Sequence, residues 1–250
     1  METTSLVIAS VLILIPIFIS YKENLGLEKE IVISILRAIV QLVVVGYILD
    51  VIFGLERSIF TVALVFIMII NAAMNTKKRG ENIKNVVFIS FISIAIGTSV
   101  TMVVLIASGA IEFTADKVIP VAGMIVSNAM VAIGLCYRNL NNSFKNRRAE
   151  VEVKLSLGAD IKESSKDVLR ENIKLAMIPT IDSAKTLGIV ALPGMMTGLI
   201  LAGSYPLTAI KFQIMVTFMI LSSSSIAAII ATYISYKSFF NERKQLCINV

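Results

Sequence analysis

The sequence predicts an all-α fold, a polytopic membrane bundle of about seven transmembrane helices. Two observations carry this. Apolar residues make up 56% of the 250 positions and charged residues only 16%, against roughly 25% charged in an ordinary soluble domain. The apolar residues also fall in separate runs, each near the about 20 residues that a helix needs to cross a hydrocarbon core of roughly 30 Å. Barrel strands are excluded, because the runs lack a barrel's alternating pattern and a lipid-facing backbone has to satisfy its own polar groups.

The first run, Ser5–Tyr21, follows a start without basic residues and precedes no small-residue cleavage site, so it is expected to be kept as a span rather than removed as a signal peptide. Ile31–Val51 is mostly apolar, with Asp50 at its edge, and holds Arg37 and Gln41, which are four apart and share a helix face. Arg37 lies well inside its run, where a cation costs a few kcal/mol unless it snorkels or finds a partner. Ile59–Met74, with Asn71, and Val86–Ser108 follow. Val118–Tyr137 contains Pro120, Gly123, Met124 and Asn128. Amides in such spans act either as interhelical glue, worth about 1 kcal/mol or less, or as part of a polar path.

Residues 138–174 form the one long hydrophilic segment. Within it Ile161, Val168, Leu169, Ile173 and Ala176 recur at three-and-four spacing, with charged residues between them, which predicts an amphipathic helix running towards the membrane. Ahead of it, residues 151–160 read as a half-buried strand by alternation alone. The spacing from Glu152 to Gly158 supports a second reading, a short helix.

The next run, Thr186–Ala202, is unlike the others. From Ile178 to Gly203 the chain holds two prolines, Pro179 and Pro193, four glycines, and the oppositely charged Asp182 and Lys185. Proline removes a backbone donor and clashes with the preceding turn, so breaks are expected near Pro179 and Pro193. Carbonyls freed there could line a path. Asp182 and Lys185 are path candidates because charge at membrane depth is costly, or else a mutually neutralising pair at i and i+3. Gly194 and Gly198 form a small-xxx-small pair suited to close helix contact, within the monomer or across a dimer axis. Met195 and Met196 offer soft donors, although gap filling is the simpler use of methionine. The last span is Phe212–Tyr236.

Basic residues between the spans set the orientation. The N-terminal segment and every second loop hold 3 Lys and Arg, and the alternate segments, including residues 138–174 and the tail, hold 18. The excess marks the cytoplasmic side. Seven spans follow, with the N-terminus outside, the C-terminus cytoplasmic and residues 1–250 forming a single transmembrane domain in a cell membrane, plasma or inner. The formal charge of +6 is explained by this topology, so no nucleic-acid partner is expected; the bilayer is. Cys136 and Cys247 have no spacing partner for metal or redox chemistry.

Enzymatic chemistry is disfavoured. The chain has no His, which removes the commonest general base and metal ligand, and no catalytic residue is assigned. No G-x-x-x-x-G-K-[ST] occurs, so ATP binding in a Walker loop of this chain is not expected, nor any other cofactor.

Taken together, several runs resemble the iron-export permease family of ATP-binding-cassette transporters, to which plant aluminium-sensitivity membrane subunits also belong. They are Ile178-Pro-Thr-Ile-Asp-Ser-Ala-Lys-Thr-Leu-Gly188, Leu192-Pro-Gly-Met-Met-Thr-Gly198, Leu201-Ala-Gly203, Arg37-x-x-x-Gln-Leu42, Ile119-Pro-x-Ala-Gly-Met124 with Asn128, and Glu152-x-x-Leu-Ser-Leu-Gly-Ala159. The likeness extends from about residue 30 to about residue 240. The Leu-Pro-Gly-Met-Met-Thr-Gly run is its most specific part. Glu152 to Gly158 is also similar to the cytoplasmic signature of such permeases, a short helix that docks on the ATPase, but Val153 and Lys154 stand where small residues are usual.

The resemblance implies a homodimeric membrane subunit that pairs with a separate ATPase and moves metal ions, such as iron, outward. It assigns coupling to Glu152, Leu155, Leu157, Gly158, Ala159 and Asp160. Candidate path residues are Arg37, Gln41, Asn128, Asp182, Lys185, Met195 and Met196. No metal site is evident from residue types. An ion-coupled secondary transporter or a membrane scaffold is the alternative.

Overall fold

The structure, a computed structural model, describes residues 8–55 and 57–247. Among these residues there is no strand, only two isolated bridges, and nine α-helices carry the fold. The chain divides into two compact units, Met1–Glu56 and Arg57–Val250.

In the first unit a 3-10 turn, Ser10–Ile13, leads into α1 (Leu14–Lys22), and a tight turn reverses the chain into α2 (Glu28–Leu55). Asn24 and Gly26 take positive φ in that turn. Ser20 locks it: its hydroxyl donates to Glu28 Oε1 at 2.7 Å and accepts from the Leu27 amide at 3.0 Å. No side chain in the apolar window of α2 is buried, so this helix shows lipid or a partner an apolar surface on all sides.

The second unit is built from α3 (Ser58–Thr76), α4 (Val86–Ala107), α5 (Ala115–Asn146), α6 (Arg148–Ser156), α7 (Ile161–Thr186), α8 (Gly194–Leu201) and α9 (Pro206–Ser235). Central α5 packs on α9, α3, α7 and α4. Contact is close because small residues sit at the crossings. A Cβ at Gly97 of α4 would lie 3.1 Å from the Ser223 carbonyl of α9, and Ala227, Ala228 and Ala231 continue that face. Several buried polar side chains join neighbouring helices: Ser90 bridges Thr76 and Tyr137 at 2.7 and 2.8 Å, and Asn172 of α7 donates to Thr232 of α9 at 2.8 Å. Cys136 shares the latter chain, accepting from Thr232 at 3.5 Å. Both cysteines are free thiols.

Among the described residues, five helices are long and apolar enough to cross a membrane: Glu28–Gly54, Ser58–Arg79, Val86–Ala107, Ala115–Asn146 and Pro206–Phe239. They coincide with five of the seven expected spans. The expected first span is represented by the shorter apolar helix Ser10–Lys22; residues 5–7 of it lie outside the described residues. The expected span Thr186–Ala202 is not one helix. α7 runs through Pro179 without a break and ends at Thr186, and α8 has only 8 residues, about 12 Å of rise. Pro179 costs α7 one hydrogen bond, and the preceding turns, anchored by buried Val168, Leu169 and Ala176, outweigh that loss.

Residues 148–156 are helical, which corrects the strand reading. α5 spans 32 residues, about 48 Å, so its last turns stand clear of a hydrocarbon core of about 30 Å. There Phe144 is fully buried, stacked on Phe239 at 4.7 Å and edge-on to Phe240 at 5.8 Å. Outside the lipid such burial is driven by water and stabilises by about 2 kcal/mol.

Candidate functional site: an intramembrane cleft and an exposed elbow

Helices α5, α7 and α9 enclose a cleft of about 250 Å³ whose polar lining is Asn128, Thr180, Ser183, Gln213 and Thr217. Pro179, Leu187 and Pro193 form its wall beside the α7–α8 break. Asn128 donates to the Met124 carbonyl at 2.8 Å and Thr217 to the Gln213 carbonyl at 2.9 Å, both four residues back along their own helices. Gln213 Oε1 is buried and accepts no hydrogen bond from the described residues. The cleft is therefore lined by neutral oxygens, with no carboxylate among the lining side chains.

The break itself is closed on its own backbone. Thr186 O accepts from the amides of Val190, Ile189 and Ala191 at 3.0 to 3.3 Å, and Gly188, at φ +80°, donates to Ala191 O at 3.0 Å. Pro193 O accepts from the amide and hydroxyl of Thr197, both at 3.0 Å. These carbonyls are engaged, so the side chains rather than freed backbone make the cleft polar.

Of the path residues expected from the sequence, Asn128 lines the cleft. Asp182 and Lys185 do not. They form an exposed i,i+3 ion pair at 2.9 Å, and at about 100° per residue they fall on the side of α7 away from Thr180, Ser183 and Leu187. Arg37 and Gln41 are exposed on α2. Met195 is half-buried against the apolar cluster around Met102, Val121 and Met219, and Met196 is half-buried beside it. A Cβ at Gly194 or Gly198 would meet no heavy atom within 4 Å, so this pair does not serve packing within the described chain.

Sequence reading missed Thr180, Ser183, Gln213 and Thr217. For the α9 pair a signal existed, since Gln213 and Thr217 sit four apart in an apolar run, the pattern that drew attention to Arg37 and Gln41. The helix begins at Pro206 rather than Phe212, which moves Gln213 from the apparent edge of the span into its interior.

The second feature is an elbow. α6 folds back on α7, burying Val151 against Val168 and Leu169. Charge fixes it: Arg147 reaches Glu150 at 2.7 Å and Glu171 at 3.0 Å, and Lys154 reaches Glu150 at 2.7 Å and Asp167 at 2.8 Å. Hydrogen bonds from Arg147 and then Lys154 hold the Glu150 carboxyl down at about 2, and Lys154 lowers that of Asp167. The turn after α6 is a Schellman cap: Gly158 N donates to Leu155 O and Ala159 N to Lys154 O, each at 3.0 Å. Gly158 occupies the left-handed position at φ +91°, which explains why glycine ends the Glu152 run. The outward face of α6 shows apolar Val153 and Leu157, 57% and 83% exposed, four apart and so side by side.

Among the described residues, five helices of crossing length and apolar composition define a multi-pass helical membrane protein. The chain belongs to UPF0014, an uncharacterised protein family whose model matches residues 3–240. It is similar to "Probable iron export permease protein FetB" of Escherichia coli (strain K12), with 50% identity over 98% of this chain and 94% of the relative. It is also similar to membrane protein YjkA of Bacillus subtilis (strain 168), with 38% identity over 98% of each chain. "Protein ALUMINUM SENSITIVE 3" of Arabidopsis thaliana is 34% identical over 97% of this chain and 89% of its own length. These relatives bear out the family resemblance read from the motifs. No solved structure matches significantly. These relatives are membrane proteins, one of them named a probable permease.

Proposed function

We propose that this protein is the membrane subunit of an ATP-driven exporter of metal ions, iron among them, working as a homodimer in the cell membrane with two copies of a separate ATPase. One observation carries the reading: an ion-paired, glycine-capped elbow standing beyond the bilayer and presenting Val153 and Leu157 outward. Exposed apolar side chains on an otherwise charged and rigid segment mark a protein-binding surface. The elbow and the tail lie on the basic, cytoplasmic side by the charge rule.

The cleft is the proposed cargo path. Neutral amide and hydroxyl oxygens replace part of a hard ion's hydration shell without the strong hold of a carboxylate cage, so that a cation can enter and also leave. Asn128, Gln213 and Thr217 are the proposed cargo-facing groups, while Asp182 and Lys185 serve as a structural pair. An ion-coupled secondary transporter would draw on a broken helix and a buried Asp; the break at Pro193 is present, but Asp182 is exposed and outside the cleft, which favours the ATP-driven reading.

The test is flux in sealed vesicles holding this protein with its ATPase, sought in an adjacent reading frame. ATP-dependent outward movement of iron is expected, abolished by Leu157→Asp together with ATPase association. Metal flux that persists without ATP, or an ATPase that associates equally with Leu157→Asp, would overturn the proposal.

A further inference from the structure

The tail beyond α9 is a folded hairpin. A 3-10 turn, Tyr236–Phe239, delivers Phe239 and Phe240 onto Phe144, and the chain then reverses through Asn241–Lys244. Phe240 pairs with Leu246 in an antiparallel bridge, Cys247 N donates to Phe239 O at 2.8 Å and Asn241 N to Gln245 O at 3.0 Å. Asn241 adds a side-chain clasp, accepting from the Gln245 amide and donating to its Oε1, both at 2.9 Å. Lys244 adopts φ +60°, a left-handed conformation uncommon for a residue with a Cβ. In that conformation its ammonium reaches Asp160 Oδ1, at the start of α7, at 3.0 Å. Buried Leu246 completes the anchor.

Between hairpin and elbow lies a cleft of about 830 Å³, with Glu152, Leu155 and Gly158 on the elbow side and Arg243, Lys244 and Cys247 on the tail side. Arg148 in its wall is paired with Glu152 at 2.7 Å, and Lys244 with Asp160. Arg243 is exposed, and among the described residues it makes no ion pair. A cleft this far beyond the apolar part of α5 does not face lipid hydrocarbon.

We propose that the C-terminal hairpin is the second wall of the ATPase-docking cleft. The elbow lines the cleft through Glu152 and Leu155, Arg243 receives a carboxylate on the docking segment of the ATPase, and Leu157, on the opposite side of α6, meets the ATPase outside the cleft. Lys244 is a positioning residue that holds the hairpin to the elbow through Asp160. This rests on the reading of the elbow as the ATPase dock.

The test measures ATPase affinity for the detergent-solubilised full chain. Arg243→Glu is expected to weaken binding by about tenfold or more, since it sets like charges face to face. Lys244→Glu should weaken it similarly, and the swapped pair Lys244→Glu with Asp160→Lys should restore it, which a general loss of surface charge would not do. Unchanged thermal melting of the Arg243 variant checks that the fold is intact. Leu157→Asp separates the two ideas. If it abolishes binding while the Arg243 and Lys244 variants stay within about twofold of the parent, the hairpin proposal falls and the elbow dock stands. Failure of the parent chain to bind the ATPase overturns both.

Discussion

Gln213 holds a side-chain oxygen buried and unpaired, a position that costs about 1–3 kcal/mol if nothing is bound there. That cost separates structural from functional roles by sign. Gln213→Leu is expected to leave thermal stability equal or higher while lowering metal flux by about tenfold; a lower melting temperature with normal flux would return Gln213 to the structural side. Asp182→Asn is expected to leave flux unchanged, because the carboxylate faces away from the cleft. Asn128 was legible in the sequence because it interrupts an apolar run near its middle. Thr180 and Ser183 were not, because a hydroxyl in a helix can close on its own backbone and carries no mark of which face meets a cleft. Gly158 was legible as a spacing, and the left-handed cap gives it a cause. Gly158→Ala is expected to cost about 1 kcal/mol with no steric clash, since nothing lies within 4 Å of an added Cβ; an unchanged melting temperature would contradict the cap.

At the scale of elements, apolar length located five spans because crossing a bilayer leaves a helix little choice of composition. The same rule misjudged Thr186–Ala202, where hydropathy sums over a closed turn and an 8-residue helix as if they were one rod. Proline was over-weighted at Pro179, where buried neighbours carry the helix through, and correctly weighted at Pro193, where α8 begins. Alternation at 151–157 imitated a strand because every second residue of a short charged helix happens to be apolar. The elbow that these residues form depends on ionised carboxylates. Glu150 is held down at about 2, and Asp160 and Asp167 are lowered by Lys244 and Lys154. Groups whose folded pKa is depressed stabilise the fold above the ordinary carboxylate range of about 4 and cease to do so as pH falls through the folded value. Hydrogen exchange is therefore expected to accelerate in α6 and the start of α7 between about pH 4 and pH 2, with the spans still protected. Loss of protection in the spans first would contradict this order.

The whole molecule leaves apolar surface that one chain does not cover. α8 presents Gly194 and Gly198 on one side, with nothing of the described chain against either; Leu201, three residues beyond Gly198, is 83% exposed, and Ile189 in the preceding turn is 88% exposed. Lipid could cover these side chains, but lipid gives no reason for two glycines four apart. Small residues at that spacing let two helix backbones approach until dispersion and Cα–H contacts accumulate. A second copy of the same helix satisfies this by symmetry, since a two-fold contact uses one patch twice. The chain's own thiols allow a direct check, because Cys136 is buried and only Cys247 is exposed. With Cys247 changed to Ser, Gly194→Cys is expected to give a disulfide-linked dimer on mild oxidation of native membranes, and Gly198→Leu is expected to weaken the dimer while the monomer stays inserted. A chain that remains monomeric under oxidation at Gly194, and whose sedimentation in detergent is unaltered by Gly198→Leu, would assign α8 to lipid and count against the dimer.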